Sequence, residues 1–338
     1  MRTVRRTRTA HPRGRAAAAA LAALALAAGC SGSGGRNAED AASDAAGRTA
    51  DTPRTTIGMV SHSGEGDTFW DIVQTGAEQA AKKDNVKFLY ANDKEGSRQA
   101  ELVRSMTDQK VDGLIVTLAK PQALKSAVQA AVRAGIPVIT INSGGEFSKA
   151  YGALTHIGQD ETVAGRAVGD ELTARHRKKA LCIVHEQGNV SLEDRCAGVQ
   201  KAFRGTVENL NVDGANAPSS QSSIEAKLQS DEDIDAIVTL GAPMAAISIK
   251  AREQAGSAAQ LATFDLNAAV VKGLKAKDIT FAVDQQPYLQ GYEAVDLLWL
   301  NRTNANVLGG GRPVLTGPAV VTGKDVPELA EYTARGTR

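Results

Sequence analysis

The chain has 338 residues, which is room for two ordinary domains or one large one. Apolar residues make up 42% of it and charged residues 23%, as a packed core requires, and without residues 1–29 the formal charge of +1 becomes −5, because six arginines precede residue 16. A mildly acidic body argues against binding to a phosphate backbone, so nucleic acid is not expected as a partner.

The N-terminal residues predict export. Residues 1–15 are basic, and residues 16–28 form an Ala/Leu run that is too short to span a bilayer of ~30 Å hydrocarbon. The run ends in Leu26-Ala27-Ala28-Gly29-Cys30, which resembles the lipobox of bacterial lipoproteins, although Ala27 stands where leucine is usual. The resemblance implies a signal peptide over residues 1–29, lipidation of Cys30 and an extracytoplasmic protein anchored to the cell membrane. An uncleaved amphipathic anchor is the alternative.

Residues 30–54 have almost no large apolar side chains, so they cannot offset the entropy cost of ordering, and we expect a flexible tether. A coil of this length reaches roughly 25–30 Å.

From Thr56 onward, short β-branched runs alternate with helical stretches. The predicted strands are 57–60, 86–90, 113–117, 137–141, 180–184, 236–240, 261–264 and 279–283. Predicted helices include 67–83, 98–109, 121–134 and 162–175. Near-continuous apolar strands between amphipathic helices indicate parallel sheets covered on both faces. The fold class is therefore α/β, with two doubly wound lobes and a break near residues 156–160.

Ligands of such sheets bind beyond the carboxyl ends of the strands. The loops there supply carboxylates, amides, one arginine and two aromatic rings. Planar polar groups bind hydroxyls and rings cover C–H faces, so this mixture favours a neutral polyhydroxy ligand.

From about Thr55 to about Thr322, the chain resembles the ribose/galactose-type substrate-binding proteins of bacterial ABC sugar importers. The motifs that carry the resemblance are Asp67-Thr-Phe-Trp70, Val111-Asp-Gly-Leu-Ile-Val116, Ala134-Gly-Ile-Pro-Val-Ile139, His156-Ile-Gly-Gln-Asp160, Glu193-Asp-Arg-Cys-Ala-Gly198, Thr263-Phe-Asp265 and Asp284-Gln-Gln-Pro287.

The resemblance implies two lobes joined by a three-strand hinge, which close over a small sugar or polyol. We expect residues 55–159 with 286–315 to form the N-terminal lobe, and 160–285 with 316–338 to form the C-terminal lobe. The implied partner is a permease with its cytoplasmic ATPase. We expect a monomer without a cofactor. A receptor for a chemosensory or signalling partner, with a non-sugar ligand, is the alternative.

The resemblance also assigns the ligand contacts. Phe69 and Trp70 match the rings that flank the sugar, Arg195 a buried guanidinium, Asp265 a carboxylate that accepts from hydroxyls, and Gln285 an amide at the hinge. The full predicted set is Asp67, Phe69, Trp70, Thr117, Asn142, Ser143, Arg195, Asp265 and Gln285.

Each of three assignments has a plainer alternative. Phe69 fits a core position at a helix start, Arg195 fits surface helix pairs, and Asp265 fits a cap of the following helix. Asn142-Ser143 stands where the family has Asp-Arg, and Gly241 where it has asparagine. These departures argue against ribose itself and leave the ligand open between a polyol, an inositol-like ring and another pentose.

An oxidising compartment permits a disulfide between Cys182 and Cys196, which would tie a strand to the helix that carries Arg195. Two buried free thiols are the alternative.

Enzyme motifs do not fit this chain. Gly64 and Gly66 begin a GxGxxG dinucleotide-binding pattern, but Phe69 stands where the third glycine is required. The phosphate-binding motif GxxxxGK[ST], the nucleophile motif GxSxG and the zinc motif HExxH do not occur. Neither catalysis nor a metal site is therefore predicted. Asp160-Glu161 is interpreted as a helix-start pair.

The histidines at positions 62, 156, 176 and 185 are expected either to be solvated or to have their hydrogen bonds satisfied within the protein. A repressor of the same fold needs an N-terminal helix-turn-helix, whereas residues 1–54 read as signal and tether.

Overall fold

A computed structural model describes residues 49–64 and 67–338. The predicted signal peptide, Cys30 and the tether as far as residue 48 lie outside the described residues. The last residues of the predicted tether are attached to the folded body: Ala50 N donates to the Lys83 carbonyl (2.8 Å), and the Thr52 hydroxyl accepts from Trp299 Nε1 (3.1 Å).

The described strands form two six-stranded sheets, with the orders β11-β5-β4-β3-β1-β2 and β12-β10-β9-β8-β6-β7. All pairings are parallel except β10 with β12. The strands are β1 Thr55–Ser61, β2 Val86–Asn92, β3 Gly113–Val116, β4 Val138–Ile141, β5 Thr155–Gly158, β6 Lys179–Val184, β7 Thr206–Asn211, β8 Ala236–Thr239, β9 Gln260–Phe264, β10 Phe281–Asp284, β11 Val314–Leu315 and β12 Ala319–Val321. We call the part around the β1 sheet the first lobe and the part around the β6 sheet the second lobe.

Helices cover both faces of each sheet. They are α1 Thr68–Lys83, α2 Gly96–Asp108, α3 Pro121–Arg133, α4 Gly145–Ser148, α5 Glu161–Ala174, α6 Val190–Ala202, α7 Ala217–Ser230, α8 Ala242–Gln254, α9 Ala268–Ala276, α10 Pro287–Asn304 and α11 Val326–Ala334. The α/β fold with two parallel-sheet lobes is confirmed. None of the helices in the described ranges is long and apolar enough to cross a bilayer.

Burial on both faces explains the composition of the central strands. Every residue of β3, β4 and β8 is buried, and these segments consist mainly of Val, Ile and Leu. The edge strand β7 alternates exposed and half-buried residues instead. Each lobe therefore has apolar clusters on both sides of its sheet.

The chain passes between the two sheets three times, after β5, after β10 and after β11. Gln290 on α10 ties two of these crossovers together, because its Nε2 donates to the Gln285 carbonyl (3.1 Å) and to the Thr316 hydroxyl (3.1 Å). Gln286 Nε2 adds a second tie to the Thr316 carbonyl (2.6 Å). The hinge is therefore cross-linked by side-chain amides.

Candidate ligand-binding cleft

A cleft of about 930 Å³ lies where the carboxyl ends of strands from both sheets face each other. Its volume falls within the usual range of small-molecule sites, roughly 300–1,000 Å³. Eight of the nine predicted ligand contacts line it; the exception is Thr117. His62, His185, Glu186 and Asn189 line it as well, and the sequence did not assign them to the site.

The start of α1 places two aromatic rings on the first-lobe wall. Asp67 caps this helix, since its Oδ1 accepts from Phe69 N (3.1 Å), and burial raises the pKa of the Asp67 carboxyl to about 6. The rings of Phe69 and Trp70 meet edge to face at 5.2 Å, and Trp70 meets His62 in the same way at 5.0 Å. The cap and the edge contacts hold the rings in fixed orientations.

Thr117 lies behind the cleft wall instead of in it. Its side chain is fully buried, and its hydroxyl lies 2.8 Å from His62 Nδ1 and accepts from Gln99 Nε2 (2.9 Å). Thr117 is therefore not among the residues that line the cleft, and these two neighbours occupy its hydroxyl. Thr117 orients His62.

Arg195 on α6 is the buried cation of the second-lobe wall, 3% exposed. Its Nε and Nη2 donate to the two carboxylate oxygens of Glu161 (2.6 and 3.0 Å), and its Nη1 donates to the Leu240 carbonyl (2.9 Å). Its guanidinium also lies 4.7 Å from the ring centre of Phe264. Since a guanidinium has five N–H donors, two remain for a ligand. The alternative of surface helix pairs does not hold.

Glu161 is the buried partner of Arg195, and the sequence alone did not assign it to the site. Its neighbour Asp160 caps α5 by accepting from Val163 N (2.9 Å), as a helix-start acid should, but Glu161 turns inward to Arg195. Burial alone disfavours the guanidinium charge, yet the Glu161 carboxylate outweighs burial and raises the pKa of Arg195. A useful signal was available in principle: a buried arginine requires a buried counter-charge.

Close packing of α5 against α6 fixes this ion pair. A methyl group on Gly165 would overlap the Arg195 carbonyl, and one on Gly198 would overlap the Thr162 carbonyl. Only glycine allows the two backbones to approach so closely.

A chain of hydrogen bonds joins both lobes across the cleft floor. Asn142 Nδ2 donates to Gln285 Oε1 (3.1 Å), and Gln285 Nε2 donates to Asp265 Oδ1 (2.7 Å). Ser143 Oγ donates to Asn142 Oδ1 (2.7 Å). Burial raises the pKa of Asp265 to about 7, although Arg195 and the Gln285 amide oppose the shift. The predicted acceptor and the predicted hinge amide are thus direct partners.

Asp265 does not cap the following helix, which was the alternative to ligand binding. Asn267 has that role, since its side chain accepts from Val270 N (2.9 Å). Asp265 itself has a left-handed backbone, with φ of 67°.

The two lobes touch at the mouth of the cleft. Val190 N donates to the Ala119 carbonyl (3.1 Å), and Asn189 Nδ2 lies 3.4 Å from His62 Nε2. A third contact joins the lobes where Asn267 Nδ2 donates to the Thr68 hydroxyl (3.4 Å). The structure therefore represents a closed arrangement.

Cys182 on β6 and Cys196 on α6 are joined by a disulfide, with their Cα atoms 6.0 Å apart. The bond connects the sheet to the helix that carries Arg195.

Two other histidines of the described residues, His156 and His176, do not line the cleft. His156 is buried, with Nδ1 2.9 Å from the Thr140 hydroxyl, and His176 is exposed. In residues 49–64 and 67–338, no group of His, Cys, Asp and Glu side chains is arranged to hold a metal ion.

Two α/β lobes around a polar cleft with an aromatic wall define a solute receptor of the hinged, two-lobed class. The family model described as "Periplasmic binding protein domain" matches residues 57–303, and the chain belongs to this family.

Individual relatives agree with this. The crystal structure of a carbohydrate transporter from Acidothermus cellulolyticus in complex with myo-inositol is 48% identical, covers 85% of this chain and 100% of that one, and superimposes with a TM-score of 0.84. The ribose import binding protein of Bacillus subtilis is 25% identical over 71% of this chain and 79% of its own. A solute-binding protein from Burkholderia graminis in complex with D-arabinose has a TM-score of 0.71 at 24% identity, covering 80% of this chain and 96% of that one, and supports the fold alone.

Proposed function

We propose that this protein captures a small neutral cyclic polyol, with myo-inositol as the leading candidate, and delivers it to an ABC permease. The observation that carries the proposal is that one cleft holds both a buried acceptor, Asp265, and the two remaining N–H donors of Arg195. A ring polyol presents hydroxyls to both groups and C–H faces to Phe69 and Trp70.

The pairing of Arg195 favours a neutral ligand. The positive charge of Arg195 is already matched by the bidentate Glu161 carboxylate, so this guanidinium offers no uncompensated charge to a phosphate or a carboxylate. The myo-inositol in the 48% identical relative supports the cyclitol over a pentose. Asn142 and Ser143 agree with a neutral ligand, since they provide neutral hydrogen-bonding groups.

The route to the membrane is part of the proposal. A signal peptide over residues 1–29, lipidation at Cys30 and a tether would keep a monomeric receptor near its permease at the outer side of the cell membrane. The lipobox-like Leu26-Ala27-Ala28-Gly29-Cys30 supports this. Intact-mass measurement of the processed protein tests it: we expect a chain that begins at Cys30 and carries acyl groups, and an unmodified N-terminus would contradict the anchor.

Calorimetric titration of the processed protein tests the ligand. Myo-inositol, D-ribose, D-arabinose and D-xylose are titrated into the wild type, Asp265→Ala and the control His176→Asn, which changes an exposed histidine outside the cleft. We expect saturable one-to-one binding of myo-inositol, a loss of roughly tenfold or more in Asp265→Ala, and no change in the control. No binding of any of the four compounds would refute the proposal.

A further inference from the structure

His185 is a cleft residue to which the proposed function gives no role. It directly follows β6, so it stands at the carboxyl end of a central strand, and it is half buried in the second-lobe wall. The sequence interpretation treated it as a solvated or satisfied histidine.

Two glycines leave the space that the His185 ring occupies. A methyl group on Gly241 would lie 3.3 Å from Cε1 and 3.5 Å from Nε2, and one on Gly214 would lie 2.8 Å from the His185 carbonyl oxygen and 3.2 Å from Cδ2. Neither glycine has a positive φ, so the reason for glycine is space and not backbone conformation. At Gly241 the space is taken by the ring, and at Gly214 it is taken by the His185 backbone and the edge of the ring.

The ring is held in place but not satisfied. Among the described residues, no side chain or backbone group hydrogen-bonds to it, and its Nδ1 is buried without a partner. Nε2 is on the side of the ring that faces Gly241. A methyl group on Gly241 would lie 3.5 Å from this nitrogen and 3.8 Å from Asp265 Oδ2. The imidazole and the predicted ligand acceptor therefore face one region of the cleft.

We propose that His185 is a ligand contact which, together with Asp265, selects a ring with two adjacent free hydroxyl groups. One hydroxyl would donate to the Asp265 carboxylate and its neighbour would bind His185 Nε2. The inference rests on the proposed function and adds a specificity residue to it.

The protonation state of the ring suits this role. Burial lowers the pKa of His185 to about 4; Glu186 opposes the shift, while Arg195 and His62 add to it. The imidazole is therefore neutral at pH 7, with one donor and one acceptor nitrogen, which matches a hydroxyl.

Titration of four variants with myo-inositol, D-ribose and D-arabinose tests the inference. His185→Ala removes the contact, His185→Gln keeps a donor and an acceptor, Gly241→Ala crowds the ring, and the fourth variant combines His185→Ala with Gly241→Ala. We expect about tenfold weaker binding for His185→Ala, a loss within about threefold for His185→Gln, and no further loss when Gly241→Ala is added to His185→Ala. Ligand-free melting temperatures should match the wild type.

Three outcomes would overturn the inference. Wild-type affinity in His185→Ala refutes it while the proposed function stands. Equal weakening in His185→Ala and His185→Gln, with lower ligand-free melting temperatures, assigns the ring to folding alone. If the wild type binds none of the three compounds, the proposed function and this inference fail together.

Discussion

The two walls of the cleft are built in different ways. The first-lobe wall consists of Phe69 and Trp70 at a helix start, fixed by a cap two residues away. The second-lobe wall depends on the buried pair of Arg195 and Glu161, which are 34 residues apart in sequence. The two rings of the first wall are held by local contacts, whereas the second wall needs distant partners to balance its charges. We infer that the second wall supplies most of the affinity and that losing one member of its network costs the most.

The largest effect is expected from Arg195→Met, which leaves the Glu161 carboxylate buried without its partner. We expect a loss of about 3–5 kcal/mol in the free energy of unfolding, measured by urea denaturation. The double variant with Glu161→Gln should recover part of this loss, because no unpaired charge remains. If Arg195→Met is as stable as the wild type, the ion pair does not support the second wall.

The pH dependence of stability should report on Asp265. Its pKa is about 7 in the folded protein against an ordinary value of 3.8, so the folded state holds this proton more tightly than the unfolded state. Its contribution to stability is therefore greatest at low pH and is lost as the pH rises from about 4 to about 7, by up to about 4 kcal/mol.

Urea denaturation of ligand-free wild type and Asp265→Asn at several pH values measures the pH-dependent contribution of Asp265 to the free energy of unfolding. The wild-type free energy of unfolding should fall relative to that of Asp265→Asn as the pH rises. A constant difference across the range would show that Asp265 titrates normally.

Removal of the Cys182–Cys196 disulfide adds a further comparison of the two lobes, because both cysteines belong to the second lobe. The bond closes a loop with a sequence separation of 14, and replacing both cysteines by alanine should cost about 3 kcal/mol of unfolding free energy. Intact mass after alkylation checks the bond itself: two modified thiols in the folded, air-oxidised protein would contradict it.

The smallest effect is expected on the first-lobe wall. Phe69→Leu keeps an apolar side chain but removes the ring face, which should weaken ligand binding by about three- to tenfold. Trp299→Phe, which alters a half-buried first-lobe aromatic outside the cleft, is the matched control and should bind like the wild type. A loss in Phe69→Leu larger than that in Asp265→Ala would reverse the ranking of the two walls.

The sequence predicted the parts of the fold that depend on continuous apolar runs. Buried segments such as Leu114-Ile-Val116 are unambiguous, and their loops could be placed at one edge of a sheet. The edge strand β7, Thr206–Asn211, was missed because its solvent-facing side makes it polar. The strand β5, Thr155–Gly158, was interpreted as a break because its sequence, Thr-His-Ile-Gly, has no continuous apolar run.

The residues of the site also differ in how well the sequence predicts them. Residues directly after strands, such as Asn142 and Asp265, could be placed in the cleft from their position alone. The inward turn of Glu161 could not be inferred, since an acid at a helix start is usually explained by the helix dipole. Thr117 also follows a strand, but it lies behind the cleft wall. Its position after a strand does not determine which neighbouring group forms a hydrogen bond with its hydroxyl. His185 was missed because the two glycines beside it belong to separate loops.

The hydrogen bond from Val190 N to the Ala119 carbonyl has a consequence for how such a receptor evolves. Val190 is the first residue of α6, where main-chain N–H groups have no partner within the helix. One of these is used to hold the opposite lobe, and both atoms of the bond belong to the backbone. Almost any residue except proline at position 190 preserves it. Substitutions on the cleft floor can therefore change which solute is recognised while the closing contact at the mouth is inherited unchanged.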